Sequence, residues 1–542
     1  MKTNHAVVNQ VPPLEGFDVA NYPAFTEYLD RVGAAESLPE LHELGQMAGS
    51  AEWITVGDLA EEHPPVLETH DRFGNRIDVV RYDPSYHRLM DTAVGHGLAG
   101  HPWASADPHA HLVRSAKFSV WTAVDSGHGC PISMTYAVVP ALRHNPELAR
   151  AYEPGLTSLH YQPELTVPTA KRGLIAGMSM TEKQGGSDVR ANTTTAVAQA
   201  DGSFLITGHK WFTSAPNSDL LLVLAQLPEG LSCFFVPRIL PDGSRNNIAL
   251  QRLKNKLGNH SNASSEVEYH EAVGWLVGEP GRGVRTIIEM VNMTRLDCAT
   301  ASAAVMRNGT TAAAHHANYR SAFGAKLVDQ PLMRNVLADL HVDAEASTLT
   351  ALWLADLTDR AMRDERAAQL RRISLAISKY FICKRAPMHA AEALECLGGN
   401  GYVEDSRMPR LFRESPLMSI WEGSGNVAAL DTLRAIGREP QTLEVLFDEL
   451  DAATGADRAY DDALAAVKGS FADMSTLEYR ARDIVGRLAS LLSASLLIRH
   501  GHPAVADAYV NSRLDGSWGS VYGTLGGGVD TAALIARATP KV

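Results

Sequence analysis

Between Gly177 and Gly283 the residue pattern leaves the 3.6-residue period of helices for short apolar runs punctuated by turn residues, and this switch limits the folds open to the chain. Residues 193–200 and 203–207 read as two strands joined at Asp201-Gly202, a tight hairpin turn. Residues 220–226 and 233–237 are apolar runs of strand length, and Pro241-Asp242-Gly243 marks a further turn. On either side the text is helical. The N-terminal stretch is interrupted by prolines and by a turn in H-D-R-F-G-N-R at 70–76, then resumes through Met90, Ala93 and Leu98 and again over 112–124. Helix is expected again from 284 to 434, where the run 380–397 meets Gly398-Gly399, a left-handed cap. An Ala- and Leu-rich segment follows Pro440, with 488–498 reading as a buried helix and Leu525-Gly526-Gly527-Gly528 as a flexible turn. The expected class is mainly α with a small central β domain. The parts are an N-terminal helical domain (1–177), a β domain (178–283), a helical bundle (284–438) and a C-terminal helical module (439–542).

A chain of 542 residues exceeds one compact core, and 45% hydrophobic with 20% charged residues is an ordinary globular composition. No apolar run approaches the roughly 18 residues that cross a bilayer, and residues 1–21, with mixed charge and Pro12-Pro13, do not read as a signal peptide. The five cysteines (Cys130, Cys233, Cys298, Cys383, Cys396) fit neither a disulfide framework nor a zinc spacing, so no metal site and a reducing cytoplasm are expected. The net charge of −13 repels nucleic acid and anionic membrane as a whole.

Two segments carry the chemistry. M-T-E-K-Q-G-G-S-D-V at 180–189 is dense in Thr, Gly and Ser, which aim N–H groups and hydroxyls at a flat or phosphorylated ligand, while Gly185 and Gly186 allow close backbone approach. S-I-W-E-G-S-G-N at 419–426 sets one carboxylate, Glu422, between a large aromatic and a glycine. G-H-K-W-F-T-S at 208–214, Y-R-S-A-F-G at 319–324 and L-G-G-N-G-Y at 397–402 accompany them. Each alone is an ordinary surface turn; their order and spacing give them weight. Together they resemble the acyl-CoA dehydrogenase superfamily over roughly residues 12–434. T-E-K-Q-G-G-S-D in place of the more usual T-E-P-G-A-G-S-D, the long N-terminal segment and the extra C-terminal residues resemble its AidB-type branch, flavoproteins of the bacterial adaptive response to DNA alkylation.

That resemblance implies a helical domain, a β-barrel domain and a helical bundle, here with an extra helical module, and FAD as cofactor. It places Met178, Thr181, Gly185, Gly186 and Ser187 along the flavin ring and its ribityl-phosphate side, and Phe212, Thr213 and Ser214 behind the isoalloxazine. Ile420, Trp421, Gly423, Ser424 and Asn426 would line the other side. Arg320 and Gln330 correspond to residues that reach the FAD pyrophosphate of a neighbouring subunit, which implies a homotetramer. Glu422 falls where the family's base removes the α-proton of an acyl-CoA while flavin N5 takes a hydride from the β-carbon, and burial would raise its pKa toward neutrality. Some relatives carry the base on a helix instead; the matching position here is Thr294-Arg295, so Glu422 has no rival. Weak activity on short or branched acyl-CoA is expected, with oxidase chemistry as a lesser reading. The basic trio Arg252, Lys254 and Lys256 reads as a solvated loop or a nucleotide-phosphate contact.

The resemblance also implies double-stranded DNA binding, with a mainly structural flavin, and Arg434 matches an arginine implicated in that contact. Charge argues the other way. Residues 439–542 hold 14 Asp plus Glu and nine Lys plus Arg, a net of −5. The arginines near Arg434 (Arg407, Arg410, Arg413, Arg438) stand either as a basic stripe or as partners of Glu404, Asp405, Glu414 and Asp431.

Overall fold

The computed structural model of the chain describes residues 4–541; the three residues before them and the last one, which belong to the expected outermost segments, lie outside the described residues. The chain forms two compact units. One comprises Thr55–Ala110 and Val124–Asp297, and the other comprises the residues up to Ile54, His111–Ala123 and everything from Cys298 onward.

The first unit holds the main β structure. A hairpin, β1 (Val66–His70) and β2 (Arg76–Arg81), precedes β3 (Ala176–Thr181), β4 (Thr195–Ala198), β5 (Phe204–Ser214), β6 (Leu220–Leu227), β7 (Gly230–Pro237), β8 (Ile248–Leu253) and β9 (Ser264–Val277). The pairings run β3–β5–β9–β7–β6 and return from β6 to β3, the last step parallel. This closes a barrel, which leaves no unpaired edge in the ring. Its core is built by alternate residues: Leu221, Val223 and Ala225 of β6 meet Phe234, Val236, Val267 and Tyr269. The other face of β6, Leu220, Leu222 and Leu224, is buried too, so this strand reads as a continuous apolar run. The expected hairpin turn is present: Gly202 has φ +85°, and the Gln199 N–H donates to Ser203 O at 2.8 Å.

The β1–β2 hairpin departs from the helical reading of the N-terminal stretch. Its turn was legible, since Asp71 accepts from the N–H groups of Phe73 and Asn75 while Gly74 sits at φ +85°. Its strands were not, because both are half-exposed and only Leu67 and Val80 pack on the barrel core. So short a stretch with one apolar contact per strand carries too weak a period-2 signal to beat its flanks.

In the second unit the long helices Pro331–Ala361 and Glu365–Glu395 pack against each other and against the C-terminal part of Gly283–Tyr319. Every residue from Leu337 to Asp359 is buried, so the helix has no solvent face there. Its buried acids are each answered. Asp343 accepts from Arg385, from Arg513 Nε at 3.2 Å and from the Tyr522 hydroxyl at 2.8 Å. Asp339 accepts from Arg513 at 2.5 Å and from Trp518 Nε1 at 3.0 Å. Glu345 meets Arg537, which also grips Glu27 at 2.7 Å and 2.8 Å. Asp359 accepts from the backbone N–H groups of His111 and Leu112. The helix Ala481–His500 contains the expected buried run, with Leu488, Leu492 and Leu496 fully covered.

Arg385 and Arg513 hold the Asp343 carboxyl far below the ordinary carboxylate range despite its burial. Asp343→Ala, which leaves two buried guanidinium groups without their common acceptor, is expected to cost about 3–5 kcal/mol of stability. Thermal unfolding and protease sensitivity of residues 510–525 are the readouts; an unchanged Tm would show that the cluster does not hold that segment.

Candidate functional site

The first group of site residues is assembled by the barrel. Met178 and Ser214 pair across β3 and β5, as do Ser179 with Thr213 and Thr181 with Phe212, so two motifs distant in sequence become neighbours. A bulge between Ser179 and Thr181 re-aims the end of β3. Thr213 is fully buried, its hydroxyl 2.5 Å from Ser179 Oγ, which in turn accepts from the Tyr269 hydroxyl at 2.9 Å. Thr213 therefore shapes the strand from inside, while Phe212 is 46% exposed. Beyond β3, Gly185 adopts φ +133° and its N–H donates to Glu182 O at 3.0 Å. A Cβ on Gly186 would lie 2.6 Å from Thr181 Oγ1, so glycine keeps that hydroxyl uncovered. Ser187 is exposed at the end of this turn.

Two residues not singled out by sequence hold this loop. Glu182 and Lys210 are both fully buried, with Lys210 Nζ 2.8 Å from Glu182 Oε1 and also donating to Leu224 O at 2.7 Å. The Glu182 carboxylate further accepts from Thr193 N at 2.7 Å, Thr193 Oγ1 at 3.0 Å and Thr194 N at 3.1 Å. Burial opposes its charge, but Lys210 and these donors prevail and hold the carboxyl at about 2. Burial pulls the Lys210 ammonium down to about 8, so the pair is ionised at neutral pH. The basic trio is committed to protein partners: Arg252 and Lys254 reach Glu266 at 2.6 Å and 2.7 Å, Lys256 donates to Asn262 O at 2.5 Å, and Lys254 Nζ lies 3.3 Å from the Trp211 ring centroid.

The second group lies in the helical unit. A short helix, Leu417–Ile420, leads to Trp421 in extended conformation, then to Glu422 at φ +56° and Gly423 at φ +102°; Ser424 precedes the helix Gly425–Arg438. Glu422 and Trp421 are half-buried, while Ile420, Ser424 and Asn426 are exposed. A left-handed glutamate costs about 1–2 kcal/mol. Lys379, on Glu365–Glu395 and 1% exposed, offsets it by donating to Trp421 O at 2.6 Å and Gly423 O at 2.5 Å. Charge-assisted bonds of this kind contribute about 1.5–3 kcal/mol each. The long spacing from 379 to 423 hid Lys379 from sequence reasoning.

Arg320 and Gln330 stand at the two ends of the 319–330 hairpin. Arg320 Nη1 donates to Asn9 O at 2.6 Å, and Gln330 Nε2 donates to Ala322 O at 2.7 Å. Thr294 and Arg295 are buried on the helix Gly283–Tyr319. Arg434 and Arg438 are exposed on Gly425–Arg438, whereas Arg413 pairs with Glu404 at 2.6 Å, and Asp431 accepts from Arg372 at 3.1 Å.

Family models match this arrangement from residue 9 to residue 437 in three successive segments. The AidB N-terminal domain matches residues 9–163, the acyl-CoA dehydrogenase middle domain 177–272 and the acyl-CoA dehydrogenase C-terminal domain 281–437. The chain belongs to the acyl-CoA dehydrogenase family of FAD-dependent oxidoreductases, in its AidB-like branch. Over 514 residues it is 42% identical to the putative acyl-CoA dehydrogenase AidB of Escherichia coli (strain K12), covering 94% of each chain. Acyl-CoA dehydrogenase family member 11 of Caenorhabditis elegans is 29% identical over 480 residues, 82% of this chain and 77% of that one. The crystal structure of Caenorhabditis elegans ACDH-11 in complex with C11-CoA superposes with a TM-score of 0.85 at 26% identity, covering 99% of this chain and 93% of that chain. The expected fold class is thus borne out, and among the described residues no helix is long and apolar enough to cross a membrane.

Lys210→Met, which strands Glu182 in the interior, is expected to lower stability by about 3–5 kcal/mol. Hydrogen exchange over residues 182–194 should accelerate, and adding Glu182→Gln should restore part of the loss; a neutral Lys210→Met would remove the anchor role. Because the folded-state pKa is lowered, the pair's contribution is present above the carboxyl's ordinary 4.5 and is lost as pH falls toward about 2.

Proposed function

We propose that this protein binds FAD and oxidises an acyl-CoA thioester at its α and β carbons, with Glu422 as the base. The observation that carries the reading is the Glu422 loop: a half-buried carboxylate at a left-handed position, its flanking carbonyls held from behind by a buried lysine. Strain of this kind at a single polar residue is typical of functional sites. The flavin-side residues fit the cofactor. Gly186 leaves the Thr181 hydroxyl uncovered, Gly185 opens the backbone, and Phe212 presents a half-exposed ring beside them. Met178, Thr181, Gly185, Gly186, Ser187, Phe212 and Ser214 are assigned to FAD contact, with Thr213 supporting their strand from inside. Ile420, Trp421, Gly423, Ser424 and Asn426 are likewise assigned to cofactor contact. When bound, FAD supplies the acceptor for the hydride leaving the β-carbon. Glu422 takes the α-proton, and fixed N–H and hydroxyl donors stabilise negative charge without reorganising. The nematode relative's C11-CoA complex supports a thioester substrate; a short or branched acyl group is our assignment here, with slow turnover in the cytoplasm.

Anaerobic titration with short, branched and medium-chain acyl-CoA thioesters tests this. Bleaching of the flavin band is expected, and Glu422→Gln should retain FAD while slowing bleaching by roughly 10²-fold or more. Unchanged bleaching in Glu422→Gln would remove the base assignment. A yellow protein that no thioester reduces would shift the weight to DNA binding through Arg434. That reading has less support, since the C-terminal residues are acidic and Arg413 is already paired.

We also propose a homotetramer. Phe323 at 99%, Leu332 at 84% and Tyr402 at 82% exposure are apolar side chains that contact with further copies would remove from water. Arg320 and Gln330, on the same hairpin as Phe323, would then face a neighbour's cofactor. Sedimentation should give four chains per particle, and Phe323→Asp should weaken the assembly; a monomer at micromolar concentration would overturn it.

A further inference from the structure

We propose that Lys379 is a positioning residue for the base, on the reading of Glu422 given above. It does not touch the reacting atoms; it acts on the backbone that carries them. Its ammonium donates to Trp421 O at 2.6 Å and Gly423 O at 2.5 Å, the two carbonyls that bracket Glu422. Both peptides are trans, so each N–H points opposite its carbonyl. The N–H groups of Glu422 and Ser424 are therefore turned away from the lysine; the peptide that enters Glu422 and the peptide that leaves Gly423 are both held, with the Glu422 Cα in the span between them.

The restraint matters because φ +56° is a conformation that glutamate alone rarely holds. Relaxation of either peptide would swing the Glu422 side chain, and displacement of a reacting group by about 1 Å costs on the order of 10²-fold in rate. Lys379 is suited to the task. It is 1% exposed, it sits in the middle of the 31-residue helix Glu365–Glu395, and an ammonium reaches two carbonyls at once without a planar fork. Packing alone does not require a cation there: Leu and Met fill buried helix positions without a desolvation cost.

Lys379→Met, Lys379→Arg and Glu422→Gln are compared as FAD-loaded full-length proteins in stopped-flow reduction by a thioester that bleaches the wild type. Lys379→Met is expected to slow flavin reduction by about 10–100-fold while FAD content and the thioester Kd stay within about threefold, and Lys379→Arg to recover most of the rate. A rate for Lys379→Met within threefold of wild type, or Lys379→Arg as slow as Lys379→Met, overturns the proposal. So does a loss of affinity that accounts for the whole effect. If Lys379→Met does not accumulate as a folded flavoprotein, Lys379→Gln serves in its place. Its shorter amide is expected to give at least a tenfold slower reduction, and a wild-type rate overturns the role. If Glu422→Gln reduces normally, the base reading fails and Lys379 falls with it. If Glu422→Gln is inert and Lys379→Met behaves as wild type, only the positioning role is lost.

Discussion

The helical unit depends on one constraint: a helix that has no solvent face yet carries carboxylates. From Leu337 to Asp359 the helix Pro331–Ala361 is buried throughout, and a buried carboxylate is tolerated only when charge partners or hydrogen-bond donors meet it. Each acid therefore fixes the place of another element. Asp339 and Asp343 recruit Arg513 and the Trp518–Tyr522 segment, Glu345 takes Arg537 near the C-terminus, and Asp359 caps the backbone of His111 and Leu112. Apolar burial alone would allow these segments to slide, because it has no direction. The carboxylates supply the registry.

The same device, at smaller scale, organises both signature loops. Lys210 reaches Glu182 and Leu224 O and so ties the Gly-rich loop to the barrel wall; Lys379 reaches the carbonyls on either side of Glu422 and ties the W-E-G turn to a long helix. In each case the exposed residues are those expected to meet a ligand, and the cation behind them is covered. Loops that do chemistry cannot be packed on both faces, so their rigidity comes from behind. Two buried lysines, neither within reach of solvent, account for much of that rigidity here.

How far the sequence could be read varied with the physical origin of each feature. The Asp201-Gly202 turn, the runs that became β6 and β7, and the buried helix around Leu488 were legible, because local backbone preference and periodicity decide them. The β1–β2 hairpin was not, since its strands are half-exposed and only Leu67 and Val80 touch the core. Arg413 was legible as a partner of Glu404, nine residues away, while the contact of Asp431 with Arg372, on another helix, was not. The basic trio was read as solvated or phosphate-facing, yet Lys254 lies over Trp211 beside Glu266, a contact no linear spacing announces.

By itself the sequence determined the class of fold and the family, because residue types in a set order encode both the strand pattern and the two signature loops. Only tertiary structure decided how those loops are held. The closure of β3 onto both β5 and β6 brings Met178 against Ser214, and the partners Glu182–Lys210 and Lys379–Gly423 are 28 and 44 residues apart. Such pairs form because burial makes an unanswered charge too costly, and which charge answers is set by the packing of whole elements rather than by any local pattern.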